Sequence, residues 1–192
     1  MRVIAGTARS MPLKAPAGMD TRPTQDRIKE TLFNILQTEI PGCIFVDLFA
    51  GSGGIGIEAL SRGASRAYFV DNGAKPASCI AENLTFTKLS ERGTVLRMDA
   101  LSGLQRILQK EDRLDIVFLD PPYGQDLELP VLELLGRSPG CDADTRIILE
   151  TDLGRDYSGI TACGLTVERV KSYKTNQHVF FRKNAHQAGE NS

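Results

Sequence analysis

The chain has 192 residues, 41% hydrophobic and 24% charged, enough for one domain that buries roughly 70% of its unfolded surface without disulfide or metal staples. Eighteen Gly and nine Pro exclude collagen-like and low-complexity classes, and no uncharged run approaches the roughly 20 apolar residues of a membrane span. The net charge of −1 argues against nucleic acid only as an average, because residues 1–35 carry +3, residues 36–168 carry −8 and residues 169–192 carry +4.

Two short apolar segments, 3–5 and 11–13, separated by Gly and Ser, predict a small hairpin or an extended arm at the start. Thr24 or Asp26 is placed to cap a helix in which Ile28, Leu32, Phe33, Ile35 and Leu36 follow helical spacing. Pro41-Gly42 closes it. Strand-like runs then fall at 43–48, 67–70, 94–98, 114–119 and 146–149, with helix-like segments between them at 55–62, 75–88, 101–110 and 126–135. Continuous apolar runs mark strands buried on both faces, and repeated strand–helix units imply a parallel sheet covered by helices on both sides. Two more runs, 165–171 and 178–182, lack an intervening helix and predict an antiparallel edge turning near Thr175-Asn176. The polar tail, 185–192, is expected to be disordered. The division expected is a basic arm and helix over 1–40, a catalytic domain over 41–184 and the tail.

Cys43, Cys79, Cys141 and Cys163 form no C-x-x-C pair, and His178 and His186 have no acidic or thiol neighbour along the chain. No metal site is expected, and the thiols read as reduced and buried in a cytoplasmic protein.

The first chemical signal follows the first strand. Asp47-Leu48-Phe49-Ala50-Gly51-Ser52-Gly53-Gly54-Ile55-Gly56 is a strand running through a glycine turn into a helix, where unpaired N–H groups meet a ligand. Gly51, Gly53 and Gly56 fit the G-x-G-x-x-G fingerprint, and Asp71 follows Gly51 by twenty residues, where an acid accepts from both ribose hydroxyls. A nucleoside cofactor is expected, either NAD or S-adenosylmethionine. Asp47 before the loop favours the second, since it repels a pyrophosphate and suits a cationic amino acid end. No G-K-[ST] follows, which excludes a P-loop.

The second signal is Asp120-Pro121-Pro122-Tyr123 after the fourth strand, sixty-seven residues beyond Gly53. Strands one and four flank the switch point of such a sheet, so this motif and the glycine loop should share one crevice. The prolines fix the turn, aim the Asp120 carboxylate and the Pro121 carbonyl at one spot, and leave Tyr123 as a flat face. That set suits a planar ring bearing an exocyclic NH2. Two acceptors hold its N–H bonds and stabilise the positive charge that develops when nitrogen attacks a sulfonium methyl. An NAD oxidoreductase would need a Tyr-x-x-x-Lys or a His–Asp constellation, and neither is present.

With these motifs, the sequence resembles the bacterial RsmD family, 16S ribosomal RNA guanine-N2 methyltransferases acting at guanine 966. The likeness runs from about residue 2 to residue 183 and rests on Arg2-Val3-Ile4-Ala5-Gly6, Thr21-Arg22-Pro23-Thr24, Leu32-Phe33-Asn34-Ile35-Leu36, the glycine loop, Glu58-Ala59-Leu60-Ser61-Arg62-Gly63-Ala64 and Asp120-Pro121-Pro122-Tyr123. It implies an α/β, Rossmann-like class I methyltransferase fold, a mostly parallel seven-stranded sheet with an antiparallel carboxy-terminal hairpin. The implied cofactor is S-adenosylmethionine. By position, Asp47, Phe49, Ala50, Gly51, Ser52 and Gly53 would line its site, Asp71 with Asn72 would hold the ribose, and Asp99-Ala100 would meet the adenine edge. Asp71 stands where the family usually carries Glu. Arg9, Lys14, Arg22, Thr24 and Arg27 are expected to meet RNA, with Arg22 and Thr24 equally placed to cover the cofactor crevice. A flipped guanine in 16S RNA, free or within a 30S particle, is the expected substrate of a monomer. The alternative is a DNA or other amino-methyltransferase using the same pocket.

Overall fold

A computed structural model describes residues 1–16 and 23–184, with side chains left aside at 23–25. Arg22 and the tail 185–192 therefore lie outside the described residues, as does the side chain of Thr24.

Seven strands form one sheet: β1 (Ile44–Leu48), β2 (Arg66–Asp71), β3 (Gly93–Arg97), β4 (Ile116–Leu119), β5 (Arg146–Asp152), β6 (Leu165–Ser172) and β7 (Asn176–Lys183). Their spatial order is β3-β2-β1-β4-β5-β7-β6. The first five run parallel, and β7 pairs antiparallel with both β5 and β6. The chain crosses over between β1 and β4, so the carboxyl ends of those two strands open the crevice expected from the sequence.

The alternation along each strand explains both faces. Phe45, Phe69, Ile116, Phe118, Ile148 and Phe180 point one way, into a cluster completed by α1 (Pro23–Ile35), α2 (Gly54–Ser61) and α3 (Ala74–Phe86). Val46, Leu48, Val70, Val117, Leu119, Leu149 and Phe181 point the other way, onto α4 (Ala100–Leu108) and α5 (Glu128–Arg137). A side chain such as Phe118, 1% exposed, contributes on the order of 1.5–3 kcal/mol by its burial.

The opening segment forms the hairpin-like turn. Arg2 and Pro12 bridge, Val3 N–H donates to Met11 O at 3.0 Å, and Ser10 N–H donates to Val3 O at 2.9 Å. Val3, Ala8 and Leu13 enter the same cluster as α1 and α2. Glu58 on α2, fully buried, fastens this segment: it accepts from Ile4 N–H at 2.8 Å and Ala5 N–H at 3.0 Å, with Arg62 Nε at 2.8 Å and Lys29 Nζ of α1 at 3.3 Å. Residues 1–16 thus share the core of the sheet.

Some local expectations change. The first helix opens at Pro23, so Thr24 and Asp26 fall inside its first turn and not before it. Proline's fixed φ suits the first helical position, where no N–H partner is needed. The helix ends at Ile35, and Leu36 to Ile40 turn before Pro41-Gly42, Gly42 having φ 82°. Strand β5 continues to Asp152 and β7 begins at Asn176, each longer than its apolar run. Cys43, Cys79 and Cys141 are buried and Cys163 is half-buried, all as free thiols. Among the described residues no helix is long and apolar enough to cross a membrane.

Candidate active site

The glycine loop is held in shape by its backbone and by two carboxylates. Phe49, Gly51 and Gly53 take φ of 61°, 55° and 75°, the left-handed region that glycine enters without strain. Gly56 is required for a different reason: a Cβ there would lie 2.4 Å from the Phe69 ring, so its absence lets α2 settle on β2. Asp47, 2% exposed, accepts the Gly56 N–H at 2.8 Å and ties the strand to the helix start. Burial pushes its carboxyl up to about 8; the Gly56 bond opposes that rise and nearby Asp71 adds to it.

Asp71, at the end of β2, spans two turns. Its Oδ2 accepts from Gly51 N–H at 2.9 Å and its Oδ1 from Gly73 N–H at 2.8 Å. Each oxygen keeps a second lone pair, and the residue is half-buried beside exposed Asn72. Asp99 caps α4 by accepting Ser102 N–H at 2.9 Å, a bond that also holds its carboxyl below the usual range, and buried Ala100 follows it. Met98 N–H donates to Asp71 O at 3.2 Å, which brings the ends of β2 and β3 together. Ala50 and Ser52 are buried within the loop.

The Asp120 segment meets this loop. Asp120 N–H donates to Leu48 O at 3.3 Å, so the motif begins beside the last residue of β1. Asp120 is exposed, Pro121 buried, Pro122 exposed, and Tyr123 is 47% exposed. The surrounding protein, then Glu150 and Asp47, push the Asp120 carboxyl well above the usual range, and solvent access blunts that rise. Burial likewise pushes the Tyr123 phenol upward. The loop beyond Tyr123 is fastened by Arg155, which pairs with Asp126 and lies 2.9 Å from Glu128.

The structure therefore gathers Asp47, Phe49 to Gly53, Asp71, Asp99 and Asp120 to Tyr123 at the carboxyl ends of four adjacent strands. The expected RNA contacts are less uniform. Arg9 and Arg27 are exposed, while Lys14 spends its charge on Glu82 at 2.7 Å. The backbone N–H of Lys14 donates to Asn83 Oδ1 at 2.9 Å, and Asn83 Nδ2 donates to Ser52 O at 3.0 Å, linking this segment to the glycine loop.

Sequence reasoning missed a polar group beside Asp120. His178, without acidic company along the chain, has it in space: Nε2 lies 3.0 Å from Glu150 Oε2. Asn176 Nδ2 donates to Glu150 Oε1, and the Tyr173 hydroxyl is 3.2 Å from His178 Nδ1. The one available signal was that Glu150, like Asp120, directly follows an apolar strand run. Among the described residues no three His, Cys, Asp or Glu side chains gather as a metal site.

The model of the family described as conserved hypothetical protein 95 matches residues 1–182. Ribosomal RNA small subunit methyltransferase D of Haemophilus influenzae is 37% identical over 173 residues, 90% of this chain and 88% of that one. The chain belongs to this family, the RsmD family. A solved structure of the Escherichia coli protein yhhF superposes with a TM-score of 0.80 at 29% identity, covering 97% of this chain and 99% of the other. An S-adenosylmethionine-dependent methyltransferase from Agrobacterium tumefaciens, 18% identical with a TM-score of 0.60 over 93% of this chain and 65% of its own, shares the fold alone. The RsmD-family chain thus has the Rossmann-like class I methyltransferase architecture expected of it, including the antiparallel edge.

Proposed function

We propose that the protein is a ribosomal RNA methyltransferase that moves a methyl group from S-adenosylmethionine to the exocyclic N2 of a guanine in 16S RNA, guanine 966 being the expected base. The observation that carries this reading is the junction of Asp120-Pro121-Pro122-Tyr123 with the glycine loop through the Asp120–Leu48 backbone bond. A carboxylate, a proline carbonyl and an aromatic ring next to the glycine loop support this reading, because a flipped base with an NH2 group needs two acceptors and a stacking face.

The residues round the loop fit this cofactor better than a dinucleotide. Asp47 and Asp71 lie close enough to raise the proton affinity of Asp47, and a pyrophosphate would drive that affinity higher still while being repelled by Asp71. A cationic amino acid end is attracted to Asp47, the remaining lone pairs of Asp71 receive ribose hydroxyls, and the segment Asp99-Ala100 borders the adenine. S-adenosylmethionine supplies an electrophilic methyl group when bound. Asp120 and the Pro121 carbonyl hold the two amine protons, Tyr123 stacks on the base, and Arg9 and Arg27 meet RNA phosphates.

The test incubates the protein with methyl-labelled S-adenosylmethionine and either naked 16S RNA or 30S subunits from cells lacking the enzyme. Label on the N2 of guanine 966 is expected. Label at another base, on DNA alone or on no nucleic acid overturns the reading.

A further inference from the structure

The register of the sheet places a second carboxylate beside Asp120. Phe118 pairs with Ile148 and Leu119 with Leu149, so Asp120 and Glu150 each follow directly on paired positions of β4 and β5. Glu150 in turn stands opposite His178 on β7. The two carboxylates lie within electrostatic reach of each other.

Glu150 is held from two sides. Asn176 Nδ2 donates to Oε1, and His178 Nε2 lies 3.0 Å from Oε2. Both Glu150 oxygens therefore face an N–H donor, an arrangement that suits a charged carboxylate. His178 is 1% exposed and packs edge-on against Phe118, ring centroids 5.9 Å apart. Its partners assign the tautomer: Nε2–H faces Glu150, and Nδ1 accepts from the Tyr173 hydroxyl at 3.2 Å.

We propose that Glu150 is a positioning residue for the proton: fixed as a carboxylate by His178 and Asn176, it makes Asp120 the base that takes the proton of the methylated amine. This rests on the amino-transfer reading above. The nitrogen lone pair forms the N–CH3 bond while the C–S bond of the donor breaks and its electron pair stays on sulfur. One N–H bond then breaks, its pair returns to nitrogen, and the proton goes to an Asp120 oxygen. Before that step two carboxylates face each other. Afterwards one charge remains, so their repulsion favours the transfer. The proton stays on Asp120 because both Glu150 oxygens already face donors. It then leaves to solvent, to which Asp120 is exposed. The other groups round this pair are Asp47 from β1, Tyr123 from the loop after β4, Asp152 from β5, Tyr173 from the β6–β7 turn, and Arg169 and Lys171 from β6, Lys171 standing opposite His178.

The experiment titrates the full chain with 13C-labelled aspartate carboxyls by NMR, the Asp120 signal being the one lost in Asp120→Asn. Glu150→Gln should lower its midpoint by about one pH unit or more, while Glu150→Asp, which keeps the charge, should leave it near the wild-type value. The acid limb of the kcat profile should move down by the same interval in Glu150→Gln, with KM little changed. If the single variant does not fold, Glu150→Gln/His178→Phe removes the charge without stranding the imidazole. An unmoved midpoint in whichever variant folds overturns the proposal. Wild-type transfer by Asp120→Asn, which keeps an acceptor oxygen but cannot take the proton, would also overturn the proposal; the midpoint needs no substrate, so absence of label on the guanine N2 with the wild-type protein sinks the amino-transfer reading separately.

Discussion

Asp71 and Gly51 are joined across two strands: the carboxylate at the end of β2 accepts the N–H of the first loop glycine at 2.9 Å. A residue twenty positions away along the chain therefore shapes the loop as well as facing it. The proposed role as ribose acceptor would use different lone pairs of the oxygens that anchor the loop.

Asp71→Ala should weaken S-adenosylmethionine binding by roughly 10- to 100-fold, the scale of losing hydrogen bonds to a charged group. Calorimetry measures this directly, and amide exchange at Gly51 and Gly73 should quicken in the same variant. Unchanged affinity would show that the ribose lies elsewhere.

If Asp47 meets the cationic end of the cofactor as proposed, it gives cofactor binding a pH dependence. Its carboxyl is pushed up to about 8 in the free protein, so it is mostly protonated at neutral pH; its contribution to stability is fully present only below the ordinary carboxylate range and is lost as pH rises from there to about 8. A cation bound beside it favours the ionised form. Affinity for S-adenosylmethionine should therefore rise with pH and level off above about 8, with a proton released on binding below that point. Calorimetry in buffers of differing ionisation enthalpy counts the proton; a pH-independent affinity contradicts the assignment.

Asp120→Ala should cut methyl transfer by roughly a hundredfold or more, the scale of removing a group that stabilises developing charge. Cofactor affinity should stay near wild type, since the proposed role of Asp120 is toward the amine and not the cofactor. Single-turnover rates with saturating RNA separate the two effects.

Glu58→Ala removes the buried carboxylate that serves Ile4, Ala5, Arg62 and Lys29. Lys29 is 4% exposed, and burial already draws its amine below the usual range. Stranding it should cost about 3–5 kcal/mol, read as a lower midpoint in urea and a lower Tm. A loss under about 1 kcal/mol would mean the opening segment holds without this contact.

The sheet and both sequence motifs were legible because each is local. Strands such as residues 116–119 are apolar on both faces, and the glycine loop and the Asp120 turn are contiguous. The Glu150–His178 pair was not legible, since its members are 28 residues apart and meet only through antiparallel pairing. The strand ends that carry them are polar: Glu150, Thr151 and Asp152 extend β5, and Asn176 and Gln177 open β7. Glu, Asp and Asn are weak strand formers on their own, so the apolar runs understate both strands. The start of α1 lies earlier than the capping residues suggest because proline's fixed φ suits the first helical position, which Pro23 occupies.

The position of β7 has a consequence for how the molecule is made. This last strand lies between β5 and β6, not at the rim. His178 and Asn176 therefore reach Glu150 only after the chain has been synthesised to its final strand and that strand has slotted in. Residues 1–152 contain every motif that the sequence displays, yet in a nascent chain of that length the Asp120–Glu150 pair would lack its two donors. Competence for proton transfer would arrive last, with the closing of the sheet.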